Sequence, residues 1–233
     1  MATAPEGTEE RVLDLDIERS MLARGHTIVA GVDEVGRGAW AGPMFVGVVA
    51  VDASTGEVPP GTRDSKALSA ATRRELRPLL ASWCASWAIG RVSAREIDEL
   101  GLTEALRVAT RRGLAALPLR PSCVIVDGPY DFISPPEDRN RRRRRRKGVV
   151  EVHPLVGADD TCPSVAAASV LAKVARDELM MRLARRLPGY GFDQHKGYGT
   201  VSHAAAIEAH GLSREHRRSW VFADRLAPYG VEA

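Results

Sequence analysis

Residues 27–43 read TIVAGVDEVGRGAWAGP. Ile28, Val29, Ala30 and Val32 form an apolar run that ends in two adjacent acids, Asp33 and Glu34. A glycine-punctuated loop carrying Arg37 follows at once. Apolar β-formers bounded by glycines predict a buried strand, so the acids are expected where a sheet strand stops. In open α/β sheets that is where ligands bind. Carboxylates beside a core are costly unless paired or bound to a cation. Side chains alternate along a strand, so Asp33 and Glu34 address one ion together only if the strand twists or bulges, or if one works through water. Gly36 and Gly38 supply the backbone freedom for such a departure.

The loop itself, Gly36 to Gly42, has the spacing GxGxxxG and leads into a second apolar run rather than a helix. It therefore fails the context of a dinucleotide fingerprint, and no GxxxxGK[ST] occurs in the chain. Small residues around one arginine suit close backbone approach to a phosphate or a sugar.

Outward from this stretch, Leu13, Ile17, Met21 and Leu22 recur at helical spacing, with Gly25 placed as a C-terminal stop. Downstream, MFVGVVAV at 44–51 predicts a strand pairing antiparallel with the first, and residues 52–63 a loop centred on Pro59-Pro60-Gly61. Asp64-Ser65-Lys66 precedes a helix for which Ser69 is an N-cap candidate and Thr72 with Glu75 an alternative capping box. Taken alone DSK is a surface turn. Beside the acidic floor, Lys66 becomes a phosphate contact. Residues 83–92 predict a third strand, and Ser93 with Glu96 caps a helix running to about Ala116 with a break at Gly101.

Cys123-Val124-Ile125-Val126 then ends in Asp127-Gly128-Pro129, repeating the pattern of apolar strand, acid and glycine. Two parallel-type strands separated by helices and each ending in Asp would bring both carboxylates to one sheet edge. Residues 149–153 predict a further strand, and Asp159 and Asp160 lead into an alanine-rich helix over 163–186. Either acid alone reads as a helix N-cap. Spaced glycines and tyrosines from Gly189 to Thr200 predict a loop able to lay a ring against a sugar or base. A short helix follows near His203.

At 233 residues, with 44% hydrophobic and 27% charged side chains, the composition is that of an ordinary soluble protein. We expect one α/β domain over 12–226, a disordered tail at 1–11 and a short tail at 227–233. No stretch of about 18 consecutive apolar residues occurs, and the N-terminus lacks an apolar signal region. A cytoplasmic protein with no membrane partner is expected. Cys84, Cys123 and Cys162 are odd in number and widely spaced, which predicts reduced thiols rather than a zinc site or disulfide frame. Net charge is +3, yet Arg139, Arg141 to Arg146 and Lys147 carry eight positive charges, so the remainder stands at −5. Such a run, inside a loop at 138–148, repels itself and stays solvated. Its natural partner is a nucleic acid backbone.

In order along residues 27–221, GVDEVGRG at 31–38, AGP at 41–43, DSK at 64–66, DG at 127–128, ASVLAKVARD at 168–177, GYGT at 197–200 and HRRSW at 216–220 resemble bacterial ribonuclease HII. The resemblance implies an RNase H-like α/β fold, a central mixed β-sheet flanked by helices with a helical C-terminal extension. It implies a monomeric endonuclease that cuts the RNA strand of RNA/DNA hybrids and incises at ribonucleotides embedded in duplex DNA. A four-acid metal site maps onto Asp33, Glu34, Asp127 and Asp159, holding Mg²⁺ or Mn²⁺. Gly36, Arg37, Gly38 and Tyr198 would recognise the ribose–deoxyribose junction through the 2′-OH and sugar faces, the features that separate RNA from DNA. Lys66 would join them as a contact to the backbone, and Lys173 with Asp177 is assigned to structure.

The chain departs from the family at Gly157, where a lysine is usual two residues before the fourth acid, which leaves Asp160 as a register alternative to Asp159. Trp220 replaces a usual Phe, and the arginine-bearing loop is long. Gly157 and the arginine run also fit a hybrid-binding protein of the same fold with weak or lost catalysis. A third reading is a nuclease of this fold acting on DNA branches.

Overall fold

A computed structural model describes residues 13–134 and 150–219. The two terminal tails, the run Arg141 to Arg146 with Lys147, and Trp220 lie outside the described residues.

Helix α1 (Asp16–Ala23) leads into β1 (Val29–Val35), which hairpins into β2 (Met44–Val51). Helix α2 (Ala70–Trp83) and β3 (Ser86–Val92) follow, then α3 (Ala94–Leu100) and α4 (Leu102–Ala116). After β4 (Cys123–Asp127) and β5 (Glu151–Leu155) comes the long helix α5 (Pro163–Arg186). The short α6 (Phe192–His195) and α7 (Val201–His210) complete the described chain. The strands form one mixed sheet in the order β3-β2-β1-β4-β5. β1, β2 and β3 run as an antiparallel meander, whereas β1, β4 and β5 are mutually parallel.

Four readings are corrected here. The acids of β1 do not lie past the end of the strand: β1 pairs with β2 through Val35↔Phe45, with Asp33 opposite Gly47 and Glu34 opposite Val46. What does stop is the parallel partner, since the β1–β4 register ends at Val32↔Val126. Nor is there a bulge, because the β1–β2 register advances residue by residue through both acids. Third, Trp83 closes α2 instead of opening β3, its indole N–H donating to the Gly56 carbonyl at 2.9 Å. β5 likewise begins at Glu151 and runs to Leu155, later than the apolar pattern predicts.

Local signals account for most boundaries. Ser69 caps α2 by accepting from the Thr72 amide, and Ser93 and Glu96 form a reciprocal capping box on α3. Gly101, at φ 73, separates α3 from α4. Small residues set how closely the layers approach. A Cβ added at Gly31 would meet the Ser164–Val165 backbone at 2.4 Å, and one at Gly47 the Ala168 carbonyl oxygen at 2.2 Å. α5 therefore lies directly on β1 and β2 through its fully buried Ala166, Ala167, Ala168 and Ala172. The opposite face of the sheet packs on α3 and α4, with Val32, Val46, Val48, Ile97, Leu106 and Val124 in one apolar cluster. α5 covers the acid-bearing face, and its N-terminal end follows Asp159 directly. It is the element that positions the site.

Candidate active site

Asp33 and Asp127 lie on the two central strands at the edge where their parallel pairing stops. By strand alternation Asp33 shares its face with Val29 and Gly31, the face under α5, and Glu34 turns to the other. Asp127 follows Cys123 and Ile125 onto the α5 face, where its Oδ1 accepts from the Ala158 amide at 2.9 Å. That contact ties the end of β4 to the turn Ala158–Asp160, which carries Asp159. Asp159 is buried against the cluster, whereas Asp160 is exposed. Of the two, Asp159 is the one paired with Lys66 beside Asp127.

The four carboxylates form an electrically strained group. Burial, then the neighbouring Glu34, push Asp33 up to about 7, against relief from a Ser169 hydrogen bond and Lys66 and further pressure from Asp159. Burial raises Glu34, offset by Arg37 and reinforced by Asp127. Burial followed by Asp127 and Asp64 raises Asp159. Charge is therefore held at the strand ends at a cost, a state that bound cations relieve. All four donors are hard carboxylate oxygens, the ligand type that suits Mg²⁺ and Mn²⁺. They couple at a distance: among the described residues, the one trio of His, Cys, Asp or Glu ligand atoms mutually within 4.8 Å lies elsewhere, at His26, Cys123 and His153.

Lys66 reaches this floor from the turn before α2. Its Nζ lies 3.3 Å from Asp159 Oδ2 and 3.6 Å from Asp64 Oδ2, with the side chain 74% exposed. Burial opposes its charge, but Asp64, Asp33 and Asp159 outweigh it and push the ammonium up to about 12. Sequence reasoning gave no role to Asp64 or Ser169. Ser169 on α5 stands 3.2 Å from Asp64 Oδ1, 2.7 Å from Ser65 Oγ and within hydrogen-bond reach of Asp33. The signal was present in DSK and in the polar Ser169 amid alanines. What was missing was the packing that sets them face to face.

The glycine loop is fixed from below by two arginines that sequence reasoning also passed over. Arg217 donates to the carbonyls of Gly36 at 2.6 Å, Arg37 at 2.7 Å and Gly42 at 3.0 Å. Arg176 donates to those of Pro43 at 2.9 Å, Lys196 at 3.0 Å and Ala41 at 3.2 Å. Both side chains are fully buried. Above them Arg37 is exposed and pairs with Glu34 at 3.3 Å. Gly36, at φ +87, has no room for a side chain, since an added Cβ would sit 2.1 Å from Arg176 Nε. Gly38 is exposed, and a Cβ there would meet nothing within 4 Å. Packing explains the first glycine and not the second.

Tyr198 stands beside this loop. The Gly197 carbonyl accepts from the amides of Trp40 at 2.8 Å and Ala41 at 3.1 Å. Arg176 and Lys173 lie 5.3 and 5.9 Å from the centre of the Tyr198 ring, and Lys173 also pairs with Asp177 at 2.7 Å. Lys173 thus lies against the tyrosine, and Asp177 holds it there while also pairing with Arg73 at 3.8 Å.

Three neutral histidines hold the backbone around it. Ser213 N–H donates to His216 Nδ1 at 3.0 Å, so the proton of His216 is on Nε2, facing His203 Nε2 at 3.1 Å. His203 then donates from Nδ1 to the Tyr198 carbonyl at 2.9 Å. His195 accepts from the Gly197 amide at 3.1 Å and donates to the Tyr190 carbonyl at 2.7 Å.

A family model described as Ribonuclease HII matches residues 30–223. The Ribonuclease HII of Streptomyces coelicolor is 43% identical over 211 residues, spanning 90% of this chain and 84% of that protein. The crystal structure of the ribonuclease H2 from Pyrococcus horikoshii OT3 superposes with a TM-score of 0.65 at 24% identity, covering 88% of this chain and 99% of that one, a likeness of fold. Bst-RNase HIII, solved in complex with Mn²⁺, superposes with a TM-score of 0.55 at 25% identity, covering 79% of this chain and 63% of that one.

Proposed function

This chain belongs to the ribonuclease HII family, and from that premise we propose that it cuts the RNA strand of RNA/DNA hybrids and incises at single ribonucleotides in duplex DNA. The observation that carries the reading is the set Asp33, Glu34, Asp127 and Asp159 where the parallel pairing stops, with Asp33, Glu34 and Asp159 raised first by burial and then by neighbouring acids. We assign these four as the ligands of Mg²⁺ or Mn²⁺, with Glu34, on the opposite strand face, acting by strand twist or through water, and the Mn²⁺ in the Bst-RNase HIII structure supports that choice. Bound there, a pair of ions would supply Lewis-acid chemistry for in-line displacement at phosphorus.

The residues do the rest by positioning. The exposed Arg37 and Gly38 lie where the loop backbone can approach a sugar, with Arg217 and Arg176 holding that backbone in place. Gly38, which no internal packing requires, keeps this surface flat for the 2′-OH side of the ribose. The Tyr198 ring stacks on the neighbouring sugar. Lys66 meets the phosphate beside Asp159, supplying the ammonium whose usual position is taken by Gly157. Water adds to phosphorus as the P–O3′ bond breaks, and the leaving oxygen takes a proton, giving 5′-phosphate and 3′-hydroxyl ends. The set is made for the charge of a phosphodiester, which fits an enzyme rather than a passive binder.

A cleavage-position assay on a duplex with one embedded ribonucleotide tests this. Incision at that ribonucleotide with Mg²⁺ or Mn²⁺, and none on the all-DNA duplex, is the expected result. Equal cutting of branched all-DNA substrates would place the specificity elsewhere.

A further inference from the structure

The far end of the same sheet face holds a second group of ligand atoms that the nuclease reading does not use. His26 lies on the connection from α1 to β1, Cys123 opens β4, and His153 sits in the middle of β5. One ligand atom from each lies within 4.8 Å of the other two. Glu151, two residues before His153 and on the same face, brings its carboxylate to 3.0 Å from His153 Nε2 and 3.6 Å from His26 Nε2. Ser122 Oγ stands 3.1 Å from His26 Nδ1, an outer partner able to accept its proton and orient the ring.

We infer that these four residues form a binding site for a borderline-soft divalent metal of the zinc class. One thiolate, two imidazoles and one carboxylate make a four-ligand set of the kind that Zn²⁺ takes in tetrahedral geometry. Ligand lengths of about 2.0–2.3 Å place the donor atoms of such a site about 3.3–3.8 Å apart. The spread of the His26, Cys123 and His153 atoms within 4.8 Å is within reach of that by small side-chain rotations, and Glu151, outside that trio, already touches both histidines. The donors differ in kind from the all-oxygen cluster, so the two sites select different ions. They are also apart in space: Cys123 and Asp127 are the two ends of β4, about 13 Å along the strand. As the metal–sulfur bond forms, the Cys123 thiol gives its proton to solvent.

The wide spacing of the three cysteines predicts reduced thiols rather than a zinc site, and the site inferred here departs from that expectation because its ligands come from three separate elements with a single cysteine among them. Bound metal would tie the α1–β1 connection to β4 and to β5. β5 is the edge strand, and it leads through Gly157 into the turn bearing Asp159. The site acts on stability and on the placement of that turn, without touching substrate.

The test uses the full chain stripped with a chelator and titrated with Co²⁺ alone. One equivalent is expected to give a near-ultraviolet thiolate-to-cobalt band together with the visible absorption of four-coordinate cobalt. Zn²⁺ should then bleach both and raise the melting temperature in a concentration-dependent way. Carboxylate sites give no thiolate band, so Asp127→Asn should leave the signal intact. Cys123→Ser should abolish it. His153→Gln, at a half-buried position, should weaken Zn²⁺ affinity about 100-fold or more, beyond what loss of an outer partner costs. Absence of the band at saturating Co²⁺, its persistence in Cys123→Ser, or an unchanged Zn²⁺ affinity in His153→Gln overturns the assignment.

Discussion

Asp33 and Asp127 stand at the same level of the sheet, each one residue beyond Val32 and Val126, the last pair of the parallel β1–β4 register. Neighbouring strands run about 4.8 Å apart, so two acids nearly a hundred positions apart in the chain become neighbours through register alone. Asp159 joins them because the Ala158 amide is tied to Asp127. The carboxylates are brought together by backbone pairing, and their repulsion is the consequence.

Burial, reinforced by the neighbouring Glu34 and Asp159, has a stability signature at Asp33. Its carboxyl is pushed up to about 7 from an ordinary 3.8. Between those values the unfolded chain has lost the proton and the folded chain keeps it. Stability therefore falls as pH rises through this window, by at most about 4 kcal/mol. In chelator, Asp33→Asn should melt above the parent at pH 8 and match it below pH 3.8. Thermal melts across pH check this, and a parent that gains stability from Asp33 ionisation contradicts it.

The two loop glycines should separate fold from recognition. Gly36→Ala forces a side chain onto Arg176 at φ +87 and is expected to cost about 1–3 kcal/mol. Gly38→Ala meets open space, so its stability should stay within about 0.5 kcal/mol of the parent. Its KM for a one-ribonucleotide duplex should nevertheless rise about tenfold. Unchanged KM in a stably folded Gly38→Ala would remove this loop from recognition.

Acid should loosen the Tyr198 segment. Burial lowers His203 from 6.5 to about 3 and His216 from 6.5 to about 4. The unfolded chain takes up these protons from pH 6.5 downward while the folded chain refuses them. Stability is present above that pH and is lost as pH falls toward the folded values, at about 1.4 kcal/mol per unit of each shift. His216→Gln should flatten the acid limb of the melting profile, which circular dichroism against pH would register. An unaltered limb contradicts the relay.

Much of this was legible in the sequence because it is written in local terms. The apolar strands, the Ser93 capping box, the break at Gly101 and the bounds of α5 follow from residues within a turn or two of each other. The recurrence of strand and acid at Asp33 and Asp127 correctly anticipated parallel neighbours. The β1 boundary was not legible, because the residues extending it past the acids are Val46 and Phe45 on β2. Arg176 and Arg217 escaped notice for a related reason. Arginines in a helix and a tail read as solvated charges until the carbonyls of residues 36–43 and 196 are folded against them.

The arginine run, outside the described residues, carries a separate expectation. Replacing Arg141 to Arg146 with serine should weaken hybrid binding and flatten its salt dependence, with turnover at saturation kept. A duplex-binding slope loses about 0.9 per phosphate contact removed. Binding titrations over a range of salt would read this, and an identical slope would show that the run does not touch the backbone.

The central claim is that Asp33, Glu34, Asp127 and Asp159 hold the cations that drive phosphodiester cleavage. The most direct measurement is single-turnover cleavage of an RNA/DNA hybrid by the parent and by Asp127→Asn, at saturating Mg²⁺ and again at saturating Mn²⁺. The account predicts a loss of about a thousandfold or more in the cleavage step, with hybrid binding and melting temperature retained. Cleavage by Asp127→Asn at the parental rate with either ion would contradict it.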